Sequence, residues 1–210
     1  MELLSTFIDI VLHLDKHLEN IRGFGIEPIV CLNTFPTDTA EEREALLSEL
    51  QSRKVASGVV DVYSRGGESA RELAALVHDR ANAATPKQKF TYELTDSPYD
   101  KIRKLATTIY GAKGVDFTSQ ARADIDRAVA NGFGEFPVCV AKTHLSLSDD
   151  PKKVGRPTDF TLTVREVRAS AGAGFLVPLT GEILTMPGLP KKPHASGIDL
   201  LPDGTIVGAV

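Results

Sequence analysis

The chain has no tryptophan, only 6% aromatic residues and only two cysteines in 210 residues. Cys31 and Cys139 each stand inside an apolar run, PIVCLN and PVCVA, and read as buried thiols in strands. A disulfide or a metal site would need better company than these two supply. A basic stripe is missing as well. Lys and Arg total 24 against 28 Asp and Glu, the net charge is −4, and the cations are spread out. Nucleic acid is therefore not expected as a partner. The N-terminal MELLSTFIDIVLHLDKHLENIRGFG is broken by Asp9, His13, Asp15, Lys16 and His17 and shows no basic leader or small-residue cleavage site. No membrane span is expected, and the cytoplasm is the expected compartment. Repeats and low-complexity segments are absent. So is a Gly-rich phosphate loop: SAGAG at 170–174 has no Lys and no following Ser/Thr, and it reads as a tight turn or bulge. No Ser/His/Asp or Cys/His set matches a catalytic motif.

What remains is an ordinary globular composition, with 42% hydrophobic and 25% charged residues, long enough for one or two domains. Leu4, Phe7, Ile8, Val11, Leu14, Leu18 and Ile21 recur at helical spacing and predict a helix ending at Gly23 or Gly25. Leu3, Ile10 and Leu12 widen its apolar face, so the helix is expected to pack on both sides. IEPIVCLN (26–33) predicts a buried parallel strand and VASGVVDVYS (55–64) the next one. Helices follow each, at 40–53, capped by Asp38 or Thr39, and at 68–83 after Gly66-Gly67. This order predicts an α/β fold: a parallel-sheet, nucleotide-enzyme-like lobe over 1–84, then a smaller α/β lobe with a β-rich C-terminus over 85–210. In the second lobe, helices are expected at 99–110 and 119–130, and PVCVAK as a buried strand. FTLTVREVRAS should be an exposed or edge strand, GFLVPLTGEIL an edge or bulged one, and the tail a hairpin turning at Pro-Asp-Gly.

Ligands of open α/β sheets collect at the carboxyl ends of strands. That rule selects the loops 33–38 and 63–67, which place Phe35 and Tyr63 just past two strand ends. Two such rings either clamp a flat heteroaromatic ligand, each stack adding about 1 kcal/mol beyond burial, or serve as a core plug and a surface ring. Asn33 and Asp38 are candidates for nucleotide contact, or else close a turn and cap a helix. Arg156, in GRPT, is a candidate for an anion, or a solvated loop arginine. His13 and His17 have metal-competent i,i+4 spacing, but no His-Glu-x-x-His pattern or third ligand accompanies them, so no metal is expected.

Residues 137–193, PVCVAKTHLSLSDDPKKVGRPTDFTLTVREVRASAGAGFLVPLTGEILTMPGLPKKP, closely resemble the C-terminal part of the formate–tetrahydrofolate ligase family. HLENIRGFGIEPIVCLNTFPTDT (17–39) and VDVYSRGGES (60–69) resemble that family's strand-and-loop runs around its folate site. The resemblance implies an ATP-dependent ligase that forms 10-formyltetrahydrofolate through formyl phosphate. It implies that Phe35 and Tyr63 sandwich the pterin ring, with Pro36 and Val59 beside them. Tyr63 stands where the family has Trp, which implies weaker folate binding. Ser69 replaces a turn glycine, which puts the loop conformation in question. His144, where the family commonly has Gln, reads as structural. The phosphate loop and the ATP and Mg²⁺ it serves would belong to an N-terminal portion, with homo-oligomers usual. The expected function is thus the C-terminal, folate-binding portion of such a ligase, inactive alone; the alternative is a non-catalytic standalone folate-binding or assembly domain.

Overall fold

The computed structural model describes residues 2–83, 87–142, 146–181 and 193–208, with the backbone alone at 2–10 and 194. The side chains of Leu3, Leu4, Phe7, Ile8 and Ile10, together with His144, the 182–192 span and the last two residues of the tail, lie outside that description. The fold is mixed α/β. Helix α1 (Glu2–Gly23) leads to β1 (Ile29–Asn33), α2 (Ala40–Ser52) and β2 (Ala56–Val60). A one-turn helix α3 (Val62–Arg65) and a 3₁₀ turn (Gly66–Ala70) precede α4 (Arg71–Ala83). Then come α5 (Pro98–Leu105), a π-helical turn (Ala106–Tyr110), β3 (Gly114–Phe117), α6 (Ser119–Ala130), β4 (Thr161–Ser170) and β5 (Phe175–Thr180). The expected tail hairpin is β6 (Asp199–Leu200) with β7 (Ile206–Val207).

Strands β1 and β2 pair in parallel, Leu32 opposite Val59 and Asn33 opposite Val60. Their helices start where local chemistry directs. Thr39 caps α2 in a reciprocal box: its hydroxyl accepts from Glu42 N, and Glu42 Oε2 accepts from Thr39 N at 3.0 Å. The backbone bond from Thr39, followed by its side-chain bond, holds the Glu42 carboxyl below its ordinary pKa. The second strand stops at Val60, earlier than its apolar run suggests. Asp61 accepts from Ser64 N at 3.1 Å and turns the chain into α3. Tyr63 therefore rides on a helical turn rather than on a strand, and the next full helix starts at Arg71 rather than at Glu68.

The second sheet has the order β3-β4-β5, parallel then antiparallel. FTLTVREVRAS is thus central, not edge. Its alternation reports which face is buried, not where the strand sits in the sheet; its partner β3 comes from more than forty residues earlier. Leu162 and Val164 are buried, then a bulge between Val164 and Glu166 shifts the inward position to Val167. Val167 N donates to Asp124 Oδ2 on α6 at 3.2 Å. Thr118 caps α6 and donates its hydroxyl to Arg165 O at 2.6 Å, tying the helix start to the same sheet. Ile102, Phe117, Ala121, Ile125, Val164, Val167 and Leu176 form the main core. Among them Lys101 is fully buried and donates to Gly134 O at 2.8 Å and Phe136 O at 3.0 Å. Expelling water from this ammonium lowers its pKa.

Both thiols correct the sequence expectation, since Cys31 and Cys139 are exposed. A two-stranded sheet leaves one side of Cys31 uncovered. PVCVAK forms only two isolated bridges to β5, Val138 to Leu176 and Ala141 to Leu179. These bridges cover the outer edge of β5, where Pro178 contributes its carbonyl to Ala141 N at 2.8 Å.

Helix α1 packs on two sides, but not through the widened apolar face: Leu12 is exposed, the side chains of Leu3 and Ile10 lie outside the described residues, and the second side is polar. Leu18 is buried with Leu50 and Val55, flanked by Leu14, Val30 and Leu46. On the other side Lys16 Nζ donates to Thr108 O at 2.7 Å and Asn20 Nδ2 to Ile109 O at 2.9 Å. These carbonyls belong to the π turn, which Gly111 closes at φ 77.

Two stability measurements follow. Lys101→Met keeps the stem volume and removes the donors, so it should cost about 1–3 kcal/mol in urea unfolding by stranding two buried carbonyls. Burial first, then His13 and Lys142, lower the His17 pKa from its ordinary 6.5. The unfolded chain then binds this proton more tightly, so the stability contribution is complete above 6.5 and is lost as pH falls below it. The urea midpoint in EDTA should drop from about pH 7.5 to about pH 5.5, and His17→Gln should flatten that slope.

Candidate functional site

The carboxyl ends of β1 and β2 lie side by side, and the loops leaving them are fixed by their own polar groups. Thr34, buried, donates both N–H and hydroxyl to Val60 O, at 2.8 and 3.0 Å. This pins the first loop to the end of the neighbouring strand. Phe35 N then donates to Asp38 Oδ2 at 2.8 Å, and Asp38 N donates to Phe35 O at 3.0 Å. Pro36 sits at the second position of this tight turn, where its fixed φ is favourable. Asp38 therefore works as the turn's internal acceptor, while Thr39 takes the capping role. Asn33 is exposed at the last position of β1.

The second loop is held by two residues that the sequence reading passed over or treated as a weakness. Asp61 supplies the cap of α3 and donates its own N–H to Ser69 Oγ at 3.1 Å. Ser69 Oγ in turn donates to Gly66 O at 2.8 Å. Ser69 has an ordinary negative φ, so the replaced glycine is not needed there. The conformation that does demand glycine is at Gly66, with φ 62 and ψ −156. The signal for Asp61 was present in the chain: an Asp three residues before Ser64, directly after an apolar run.

These two loops bring Phe35 and Tyr63 together. The ring centroids are 6.2 Å apart and the planes are tilted by 48°. Phe35 is 48% exposed and Tyr63 74% exposed. Val59 and Val62, also exposed, extend the apolar surface beside them. Two stacked contacts of about 3.5 Å each need roughly 7 Å between rings. At 6.2 Å and a 48° tilt the rings are neither parallel nor far enough apart to admit a planar ring, so one must turn, and Tyr63, with most of its surface free, is the side chain able to swing. The site is an aromatic pair on two rigidly turned loops, with no charged group between the rings.

Arg156 lies elsewhere. Its guanidinium forks onto Glu19 of α1, at 2.8 and 2.7 Å, so both donors are engaged by an internal carboxylate. Two larger grooves are also distant from the aromatic pair. One of about 350 Å³ is lined by Lys16, Asn20, Phe24 and Thr108, and one of about 560 Å³ by Phe24, Phe90, Tyr92 and Leu94. Neither gathers a set of groups suited to acid–base work. Among the described residues no group of three or more His, Cys, Asp or Glu could hold a metal ion, and no helix is long and apolar enough to cross a membrane.

The chain was compared with known proteins. A family model described as formate–tetrahydrofolate ligase matches residues 6–210. The formate–tetrahydrofolate ligase of Myxococcus xanthus is 50% identical over 199 residues, covering 93% of this chain and 36% of the relative. Those of Symbiobacterium thermophilum and Bacillus pumilus are 48% and 46% identical, each covering 93% of this chain and 35% of the relative. The chain thus spans about a third of the length of the curated relatives it matches. With nearly its full length matched by the family model, the chain belongs to the formate–tetrahydrofolate ligase family.

Proposed function

We propose that this chain is the C-terminal, folate-binding portion of a formate–tetrahydrofolate ligase, an enzyme that forms 10-formyltetrahydrofolate from formate, ATP and tetrahydrofolate through formyl phosphate. The observation that carries the reading is the Phe35–Tyr63 pair at the carboxyl ends of two adjacent parallel strands. Phe35 and Tyr63 take the two faces of the pterin ring, while Pro36 and Val59 border it. Each stack contributes about 1 kcal/mol beyond burial. Tyr63 offers less area than an indole, so the affinity is modest. The chain's own contribution to the reaction is to bind and orient the folate.

ATP and Mg²⁺ belong to a P-loop-bearing portion outside these residues. The donor chemistry for them is not in this chain: no Gly-x-x-x-x-Gly-Lys loop occurs in the sequence, and no carboxylate cluster occurs among the described residues. Asn33, exposed at the end of β1, is our candidate to meet a nucleotide base held by that portion. Arg156, our candidate for an anion, is paired with Glu19, which competes with any anion for its guanidinium. The lobe of residues 1–84 supports such a partner. Parallel strands are normally covered on both faces in sheets of several strands, yet β1–β2 stands as a pair and α4 has no buried residue. A further portion of the ligase, or another copy of the chain, would cover these faces. We assign residues 85–210 to a second domain built on the β3-β4-β5 sheet, and the protein to the cytoplasm. The second reading, a non-catalytic folate-binding or assembly domain, rests on the missing phosphate loop. An upstream reading frame encoding a Gly-Lys-Ser/Thr phosphate loop favours the ligase portion, and its absence favours the standalone domain.

The purified chain should bind tetrahydrofolate in isothermal titration and show no formate- and folate-dependent ATP turnover by itself. Phe35→Ala should weaken binding by roughly tenfold or more through lost stacking and burial. Undiminished binding by that variant would remove the clamp, and ligase activity from the chain alone would remove the division of labour. Gly66→Ala tests the loop without touching a ring. A Cβ there meets no atom within 4 Å, so its penalty is backbone strain of about 1–3 kcal/mol. It should weaken folate binding, whereas Gly67→Ala, equally open and without a positive φ, should not.

A further inference from the structure

His13 and His17 stand one turn apart on α1, so their imidazoles leave the same face of the helix. Their Nε2 atoms lie 2.9 Å apart, with ring centroids at 4.5 Å and planes at 76°. His13 Nδ1 lies 2.9 Å from Gly155 O. A carbonyl only accepts, so the His13 proton sits on Nδ1 and its Nε2 presents a bare lone pair. In the ion-free molecule His17 Nε2–H fills that lone pair.

Two independent features fit a bound cation. The first is the bite. Two imidazole nitrogens at about 2.0–2.1 Å from one ion and at right angles to each other lie about 2.8–3.0 Å apart, whereas a tetrahedral angle would set them at about 3.3 Å. In the ion-free molecule the 2.9 Å is an ordinary N–H···N hydrogen-bond distance, and it leaves the two nitrogens within reach of the right-angle arrangement. The second is the support behind the ligand. A ligating histidine ordinarily donates its other ring N–H to a carbonyl or carboxylate, which fixes tautomer and orientation, and Gly155 does this for His13.

We propose that His13 and His17 form a two-imidazole site for a divalent transition cation that prefers square or tetragonal coordination, such as Ni²⁺ or Cu²⁺, with water completing the sphere. On binding, the His17 proton passes through solvent from Nε2 to Nδ1, so both rings coordinate as neutral ligands through Nε2 and no net proton is released. Lys142 is the cation whose charge reaches His17, and it opposes the incoming ion. Its ammonium is engaged by Ser146 O and lies 5.5 Å from the centre of the Tyr110 ring. With two protein ligands, the site binds more weakly than a four-ligand structural zinc centre. Its effect is to lock α1 in the position where it is already anchored to Gly155, and so to stabilise the folded chain by mass action.

The test uses the untagged full chain, stripped with EDTA and desalted, then titrated with NiCl₂ by calorimetry and thermal melting. One saturable Ni²⁺ site and a rise in Tm are expected. His17→Ala, which retains the His13–Gly155 bond, should weaken Ni²⁺ binding at least tenfold and abolish the rise, while His78→Ala on the exposed face of α4 should change neither. With Cu²⁺, the paramagnetic resonance spectrum of the wild-type chain should show coupling to two imidazole nitrogens. Saturable binding unchanged in His17→Ala, no saturable binding at all, or a single-nitrogen spectrum overturns the site.

Discussion

Two backbone carbonyls, Thr108 O and Ile109 O, point out of the π turn toward α1, and Lys16 and Asn20 answer them at 2.7 and 2.9 Å. Both bonds are partly buried, and each contributes roughly 0.5–1.5 kcal/mol to seating the turn against α1. On its other side α1 buries Leu18 against Leu50 and Val55. One helix thus joins the β1–β2 unit to the β3-β4-β5 sheet, apolar toward the first and polar toward the second. Glu19 to Arg156 and His13 to Gly155 lengthen the polar side, and Asp15 to Arg53 adds a polar pair beside the apolar contact with the β1–β2 unit. These pairs are partly exposed and add little energy each; their effect is to fix the helix's rotation.

That fixed helix positions the two aromatic-bearing loops at one remove. Leu14 and Leu18 hold Val30 and Leu46, hence β1 and α2, and the parallel pairing with β2 brings the two strand ends together. From there the loops depend on short-range polar bonds: Thr34 to Val60 O, Asp38 to Phe35 N, Asp61 to Ser64 N and Ser69 to Gly66 O. The aromatic rings are the exposed ends of this framework. A binding surface made this way keeps its backbone rigid while leaving Tyr63 free to adjust, which suits a ligand entering between two faces.

The family's chemistry divides along the same line. A stacking site needs only flat surfaces and firm loops, and both are present here. Phosphate activation needs concentrated positive charge and a metal; the sequence has no Gly-x-x-x-x-Gly-Lys loop, and among the described residues no group of three or more His, Cys, Asp or Glu could hold a metal ion. Among the described residues β1 and β2 form a two-stranded parallel sheet, and α4 has no buried residue.

Local chemistry was legible in the chain. A cap for α2 at Asp38 or Thr39, the Ser119 start of α6, the tail hairpin and the position of Phe35 after a strand all follow from residues within a few places of one another. So did the family, because VREVRASAGAGFLVPLTG is too long and specific a run to arise from composition. What the sequence could not reveal depended on partners distant along the chain. The alternation of 161–170 showed a buried face but not that β3 would pair on one side and β5 on the other. The apolar runs around Cys31 and Cys139 did not show that nothing covers them. The spacing of Phe35 and Tyr63 did not contain their 6.2 Å approach, nor did Arg156 announce Glu19. Capping, turns and periodicity act over one or two helical turns and are written in order along the chain. Strand order, burial and ring-to-ring distance are set by which remote segments fill the space alongside, and only the folded molecule decides that.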